Sequence, residues 1–229
     1  MAHLDSPKTS SKGTRASVAV RCVIYDCDGV LFDSLNANRT LYNHIAISNG
    51  RGPLTEAELH FCHINTVSDS VHHLFRRDPE GGARAFSFLR EQIDFKDYVP
   101  YLTMEPYLLE TLSILRGRGI FTAINTNRTT SMPHLMERFN LSPYFDLVIT
   151  ALDVERPKPD PESMTRILRM LNVRPDETLY VGDSTIDRQT AESSGVTFLA
   201  YKNPAISTGI AIDDHRKIIS VIDGALSLL

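Results

Sequence analysis

The sequence predicts an α/β protein: a core built on a parallel sheet with helices on both faces, and a small all-α segment inserted after the first strand. Three observations predict it. Short apolar runs alternate with stretches of helical periodicity, the pattern of a parallel sheet covered on both sides. Several of those runs end in polar or acidic turns, where open α/β sheets place their ligand-binding groups. Finally, about 95 residues separate the first run from the second, far more than a crossover helix needs.

The elements follow in order. Residues 1–17 are polar, with Lys8, Lys12 and Arg15 among serines and threonines, and lack the apolar stretch of a signal peptide. A disordered tail is expected there. The first strand covers 19–25. Helices are expected over Leu35–Ser48, 55–63, 67–76 and 83–95, broken at Gly50-Arg51-Gly52-Pro53 and at Asp78-Pro79-Glu80-Gly81-Gly82. No strand pattern lies among them, so 35–103 reads as a helical insert, and 18–34 together with 104–229 as the core. A helix over 106–116 ends at Gly117. Strands are expected over 121–126, 147–151, 178–181 and 197–201. In 161–171 the apolar Met164, Ile167, Leu168 and Leu171 follow helical spacing, with Asp160 placed to cap and Pro161 suited to the first turn.

A chain of 229 residues can bury a large core or a core plus an insert. A net charge of −4 gives no sign of nucleic-acid binding. No apolar stretch approaches the roughly 18 residues a membrane helix requires. Three cysteines without a CxxC pair fit a reducing cytoplasm better than a disulfide scaffold. Cys27, between two aspartates, reads as a small buried spacer. Monomer and homodimer both remain open.

The densest chemical signal is Asp26-Cys27-Asp28-Gly29 at the end of the first apolar run. In extended backbone successive residues point to opposite sides, so Cys27 points away from the two carboxylates. A turn at Asp28-Gly29 would bring the second back toward the first. Carboxylates held close need a cation, a shared proton or different roles. Hard oxygens at a strand end suit Mg²⁺, and a nucleophile beside a general acid/base is the matching division of labour. Downstream, Thr126-Asn127 ends the second strand. Lys158 stands between prolines in Arg156-Pro157-Lys158-Pro159-Asp160-Pro161, and Gly182-Asp183-Ser184-Thr185-Ile186-Asp187 follows another strand.

This ordered set, spread over roughly residues 18–202, resembles the haloacid dehalogenase superfamily of aspartate-nucleophile phosphohydrolases, and in particular its phosphoglycolate phosphatases and β-phosphoglucomutases. The resemblance implies a Rossmann-like core and makes the helical insert a cap over the active site, linked through Asp33-Ser34. Asp26 is then the nucleophile and Asp28 the general acid/base, its backbone carbonyl a further metal ligand. Asp183 completes the protein's share of a Mg²⁺ shell. Thr126 and the backbone N–H of Asn127 grip the phosphate. Lys158 neutralises charge, and Asp187 orients Lys158 or a metal-bound water. Asp187 and the Asp33-Ser34 pair also read as helix caps.

The implied activity is hydrolysis of a small phosphate ester through an aspartyl phosphate. A sugar-phosphate mutase would use the same core residues. A dehalogenase is disfavoured because Asp28 is present. A signalling receiver module is disfavoured by length and by the insert, and a non-catalytic scaffold by the filled catalytic positions. In the insert, His60 and His63 share a helical face, but no carboxylate or cysteine completes a metal site. Arg39, His63, Arg76 and Lys96 are the candidates to meet a substrate anion, and the sequence does not choose among them.

Overall fold

The structure, a computed structural model, describes residues 19–224. The expected tail at 1–17 lies outside the described residues. The first strand, β1 (Cys22–Tyr25), is wholly inaccessible to solvent. Its continuous apolar sequence matches burial on both faces. Alternation sends Val23 and Tyr25 into one core cluster and Cys22 and Ile24 into another.

After a short β2 (Phe32–Asp33), the chain runs through four helices: α1 (Leu35–Ser48), α2 (Glu56–Ile64), α3 (Val67–Leu74) and α4 (Pro79–Glu91). They enclose a core of their own, including Leu41, Tyr42, Ile45, Cys62, Val71, Leu74 and Phe75. Thr55 caps α2 with Glu58 in a reciprocal box, and Thr66 caps α3. The expected break at residues 78–82 is instead the start of α4, four residues earlier than periodicity suggested. Asp78 is its N-cap, accepting from Gly81 N at 2.9 Å, and Pro79 takes the first turn.

The insert returns to the core through β3 (Thr103–Met104), which pairs antiparallel with β2, Phe32 opposite Met104. Then follow α5 (Leu108–Gly117), β4 (Phe121–Asn125), α6 (Met132–Arg138), β5 (Leu147–Ile149), α7 (Glu162–Leu171), β6 (Thr178–Gly182), α8 (Thr185–Ser194), β7 (Thr197–Tyr201), β8 (Ile210–Ile212) and α9 (Lys217–Ile222). Pro161 stands one position before α7 rather than inside it, and Asp160 Oδ1 accepts from Glu162 N at 3.0 Å. The strand β8 escaped the sequence reading because three residues carry too little periodicity to be read.

The sheet has order β5-β4-β1-β6-β7-β8 and is parallel throughout. Residues of α5, α6 and α9 cover the face of Val23 and Tyr25, and those of α7 and α8 the other. The chain leaves β1 for β4 and β5 on one side, then crosses back to β6 on the other. This reversal opens a crevice at the carboxyl end of β1.

Candidate active site

Three anticipated residues stand at adjacent strand ends: Asp26 after β1, Thr126 after β4 and Asp183 after β6. Register aligns those ends, since Tyr25 pairs with Ile124 on one side and Val181 on the other. Asp26 N donates to Val181 O at 2.9 Å and Thr126 N to Ile149 O at 3.0 Å, so both side chains leave a backbone still fixed by the ladder.

Lys158 enters from the loop before α7 and is buried. Its three donors are all used: Asp26 Oδ1 at 2.7 Å, Asp187 Oδ1 at 2.6 Å and Tyr180 Oη at 3.0 Å. Its carbonyl accepts from Asn127 Nδ2 at 3.0 Å, so the Asn127 side chain ties the lysine loop to the end of β4. Burial works against the ammonium, but the charges of Asp187 and Asp26 outweigh it and hold its pKa well above the ordinary value. Asp187 also accepts from Ser184 N and Oγ, which makes it part of the cap of α8. Orienting lysine and capping the helix are served by different oxygens of one carboxylate. Burial pushes its pKa up, but Lys158 and the hydrogen bonds bring it below the usual range.

Two glycines admit this crowding. Gly29 has φ +75°, and a Cβ there would fall 1.9 Å from Asp183 Oδ2. At Gly182 a Cβ would fall 2.4 Å from that of Asp187. Asp183 itself is anchored through its carbonyl, which accepts from Asn203 Nδ2 at 2.8 Å.

Asp28 departs from expectation. Its carboxylate does not turn back toward Asp26 but meets the guanidinium of Arg128, Nε to Oδ2 at 2.7 Å and Nη2 to Oδ1 at 2.5 Å. A bidentate, charge-assisted pair outweighs the approach of a second anion to Asp26. Carboxylate oxygens of Asp26, Asp183 and Asp187 instead lie within 4.8 Å of one another. Arg128 and Tyr180 were not among the residues singled out from the sequence. Arg128 sits in no apolar pattern. Tyr180 had a signal: a tyrosine inside a buried strand needs a partner for its hydroxyl, and here it donates to Asp187 at 2.6 Å.

The carboxylate group fits a divalent cation. Three carboxylates face the single ammonium of Lys158, and among the described residues Asp183 has no ion pair. Burial, then the charges of neighbouring aspartates, push the pKa values of Asp26 and Asp183 upward. Hard oxygens with uncompensated charge are the donor set Mg²⁺ prefers. The Asp28 side chain lies outside that set.

Among the four anion-binding candidates of the insert, Arg39 is paired with Glu56 at 2.8 Å and Lys96 with Asp94 at 2.6 Å. Arg76 donates to His73 O. His63 differs: its Nδ1 lies 3.0 Å from Asn38 Nδ2 on the first turn of α1. Burial lowers its pKa, opposed by the nearby charges of Asp33 and Asp28. His63 is thus the candidate that feels the charges of Asp33 and Asp28. Among the described residues no histidine joins a group able to hold a metal.

Residues 23–201 match the family of haloacid dehalogenase-like hydrolases. The chain is 31% identical to the phosphoglycolate phosphatase of Rhodobacter capsulatus, over 88% of this chain and 96% of that one. It is 28% identical to the phosphoglycolate phosphatase of Pseudomonas putida, over 87% of this chain and 78% of that one. A crystal structure of a HAD-superfamily hydrolase, subfamily IA, variant 1, from Geobacter sulfurreducens superposes with a TM-score of 0.79 at 37% identity, covering 93% of this chain and all of that one.

Proposed function

Because the chain belongs to the haloacid dehalogenase-like hydrolases, we propose that it is a Mg²⁺-dependent phosphatase that hydrolyses a small phosphate monoester through an aspartyl phosphate on Asp26. The observation that carries this reading is Lys158 Nζ at 2.7 Å from Asp26 Oδ1, beside an Asp183 carboxylate with no cationic partner among the described residues. Relatives named as phosphoglycolate phosphatases support a small phosphorylated substrate.

Asp26 and Asp183, with the backbone carbonyl of Asp28, would hold the metal. Bound there, Mg²⁺ supplies charge neutralisation across the phosphoryl oxygens and the aspartates. The protein's groups do the rest. One Asp26 oxygen stays on Lys158 while the other attacks phosphorus, splitting one displacement into two. Lys158 opposes charge on the transferring group. Thr126 Oγ and the N–H of Asn127 hold phosphoryl oxygens. Asp28, once turned inward, delivers a proton to the leaving oxygen and later takes one from the attacking water. Asp187 and Tyr180 keep Lys158 in place and do not touch the substrate.

The helical insert over 35–103 serves as the cap. No helix among the described residues is long and apolar enough to cross a membrane. Three free, buried cysteines support a reducing cytoplasm as the place of action, for a monomer or homodimer.

The test is a panel of phosphate esters assayed with Mg²⁺ and with excess EDTA. Turnover of at least one small ester that disappears on chelation is expected. Full turnover in EDTA, or none of any ester with Mg²⁺, would overturn the proposal.

A further inference from the structure

Arg128 presents the edge formed by Nε and Nη2 to a carboxylate, and in this structure that carboxylate is Asp28. The third nitrogen, Nη1, reaches Ser131 Oγ at 3.3 Å, and the backbone N–H of Arg128 donates to Thr126 Oγ1 at 3.1 Å. The guanidinium is therefore fixed from behind and on the same turn as the phosphate grip. The arginine side chain is 17% exposed, whereas that of Asp28 is 41% exposed. The fixed partner is the cation, and the exchangeable one is the acid.

Asp28 has two incompatible tasks. Bound to both nitrogens of Arg128 it is acceptor only, and as general acid it must leave them for the leaving oxygen. Its departure strands a largely buried guanidinium, a costly state unless another anion takes the vacated edge. A carboxylate fits that edge in charge and in planar two-oxygen geometry. An uncharged leaving group does not.

We propose that Arg128 is a carboxylate-exchange site. A carboxylate on the leaving group of the substrate displaces Asp28 from Arg128, and the displaced Asp28 takes a proton from solvent water and turns to the ester oxygen. Substrate charge and acid delivery are then coupled through one guanidinium, and phosphorylated short hydroxy acids are selected over neutral alkyl phosphates. This rests on the phosphatase reading above. It assigns to Arg128 a substrate contact, and to Asp28 a resting position away from the reacting atoms. Apart from that proton, the exchange breaks and forms hydrogen bonds only.

The experiment compares kcat/KM for 2-phosphoglycolate, ethyl phosphate and p-nitrophenyl phosphate in the wild type, Arg128→Met and Arg128→Lys. The first two are similar in size and differ in the carboxylate. The third has a leaving group that needs no acid. The wild type should prefer 2-phosphoglycolate over ethyl phosphate by about a hundredfold, since a site built for a polar group discriminates against its absence. Arg128→Met should collapse that ratio to within about fivefold, chiefly by losing 2-phosphoglycolate turnover, and Arg128→Lys should fall between. A purely structural role would lower all three substrates together and leave the ratio intact, overturning the proposal. If Arg128→Met does not fold, the ratios of the wild type and Arg128→Lys decide. Wild-type turnover of p-nitrophenyl phosphate with no preference between the other two overturns this proposal alone. No turnover of any of the three overturns the phosphatase reading and this inference with it.

Discussion

Lys158 and Asp26 meet at 2.7 Å in a place nearly sealed from water, the lysine side chain 4% exposed and the aspartate 11%. The charge that phosphoryl transfer needs is already in position, with no reorganisation left for the moment of reaction. Lys158→Met should lower kcat by about 10²–10³-fold, as loss of a preorganised electrostatic donor does elsewhere. It should also cost about 3–5 kcal/mol of stability, because Asp26 and Asp187 are left buried without their cation. Steady-state kinetics and denaturant melts read the two effects separately. A kcat within tenfold of wild type would remove Lys158 from the reaction.

Asp26→Asn should abolish turnover and covalent trapping of phosphate together, since an amide is no nucleophile at phosphorus. The check is acid-quench labelling with a radioactive phosphate ester. Retention of a tenth of the wild-type rate would mean that another group attacks.

Metal binding should show as stability. Mg²⁺ at a hundredfold excess over its Kd should add about 2.7 kcal/mol to unfolding, by mass action alone. Asp183→Asn should lose that increment. In EDTA the same variant should melt no lower than wild type, because it removes one of the mutually repelling carboxylates. Equal Mg²⁺-induced shifts in both proteins would place the metal elsewhere.

His215 should set part of the acid limit. The ring is wholly buried, Nε2 donates to Val30 O at 2.9 Å, and burial lowers its pKa from 6.5 to about 4. The unfolded chain therefore binds a proton between these values that the folded protein refuses. The contribution, about 3 kcal/mol in full, is present above pH 6.5 and drains away as pH falls toward 4. His215→Gln should flatten the stability–pH curve in that window. An unchanged slope would show that carboxylates alone govern acid unfolding.

Asp28→Asn separates hydrolysis from transfer. With p-nitrophenyl phosphate the first step needs no acid, so the variant should form the aspartyl phosphate and hydrolyse it slowly. Stopped-flow absorbance should show a burst of about one nitrophenolate per enzyme, absent in the wild type. A wild-type intermediate that persists in water and clears only on adding a sugar phosphate would identify a mutase.

What could be read in the sequence was what period and order encode. Asp26, Thr126 and Asp183 were legible because each ends an apolar run, and a parallel sheet brings such ends together. Lys158 was legible by its place among prolines, although nothing local tells that its ammonium crosses to Asp26. The direction of the Asp28 carboxylate was not legible, because its partner lies a hundred residues away. Arg128 stays hidden in a polar loop for the same reason. The start of α4 was missed because the Gly81-Gly82 pair reads as a breaker until the Asp78 cap is seen to hold it. Among the candidate cations of the insert the choice fell to His63 only when ion pairs occupied Arg39 and Lys96.

The two-residue ribbon of β2 and β3 has a consequence for the economy of the chain. Phe32 and Met104 are partners across it, and Glu105 N extends the contact to Leu31 O at 3.0 Å. The polypeptide therefore leaves the core and re-enters it at adjoining points. Everything between is a parenthesis that no sheet register depends on. The strand-end carboxylates and the helices of the insert are written in separate stretches of sequence, joined where Ala37, Val99 and Leu102 pack into the sheet's own core.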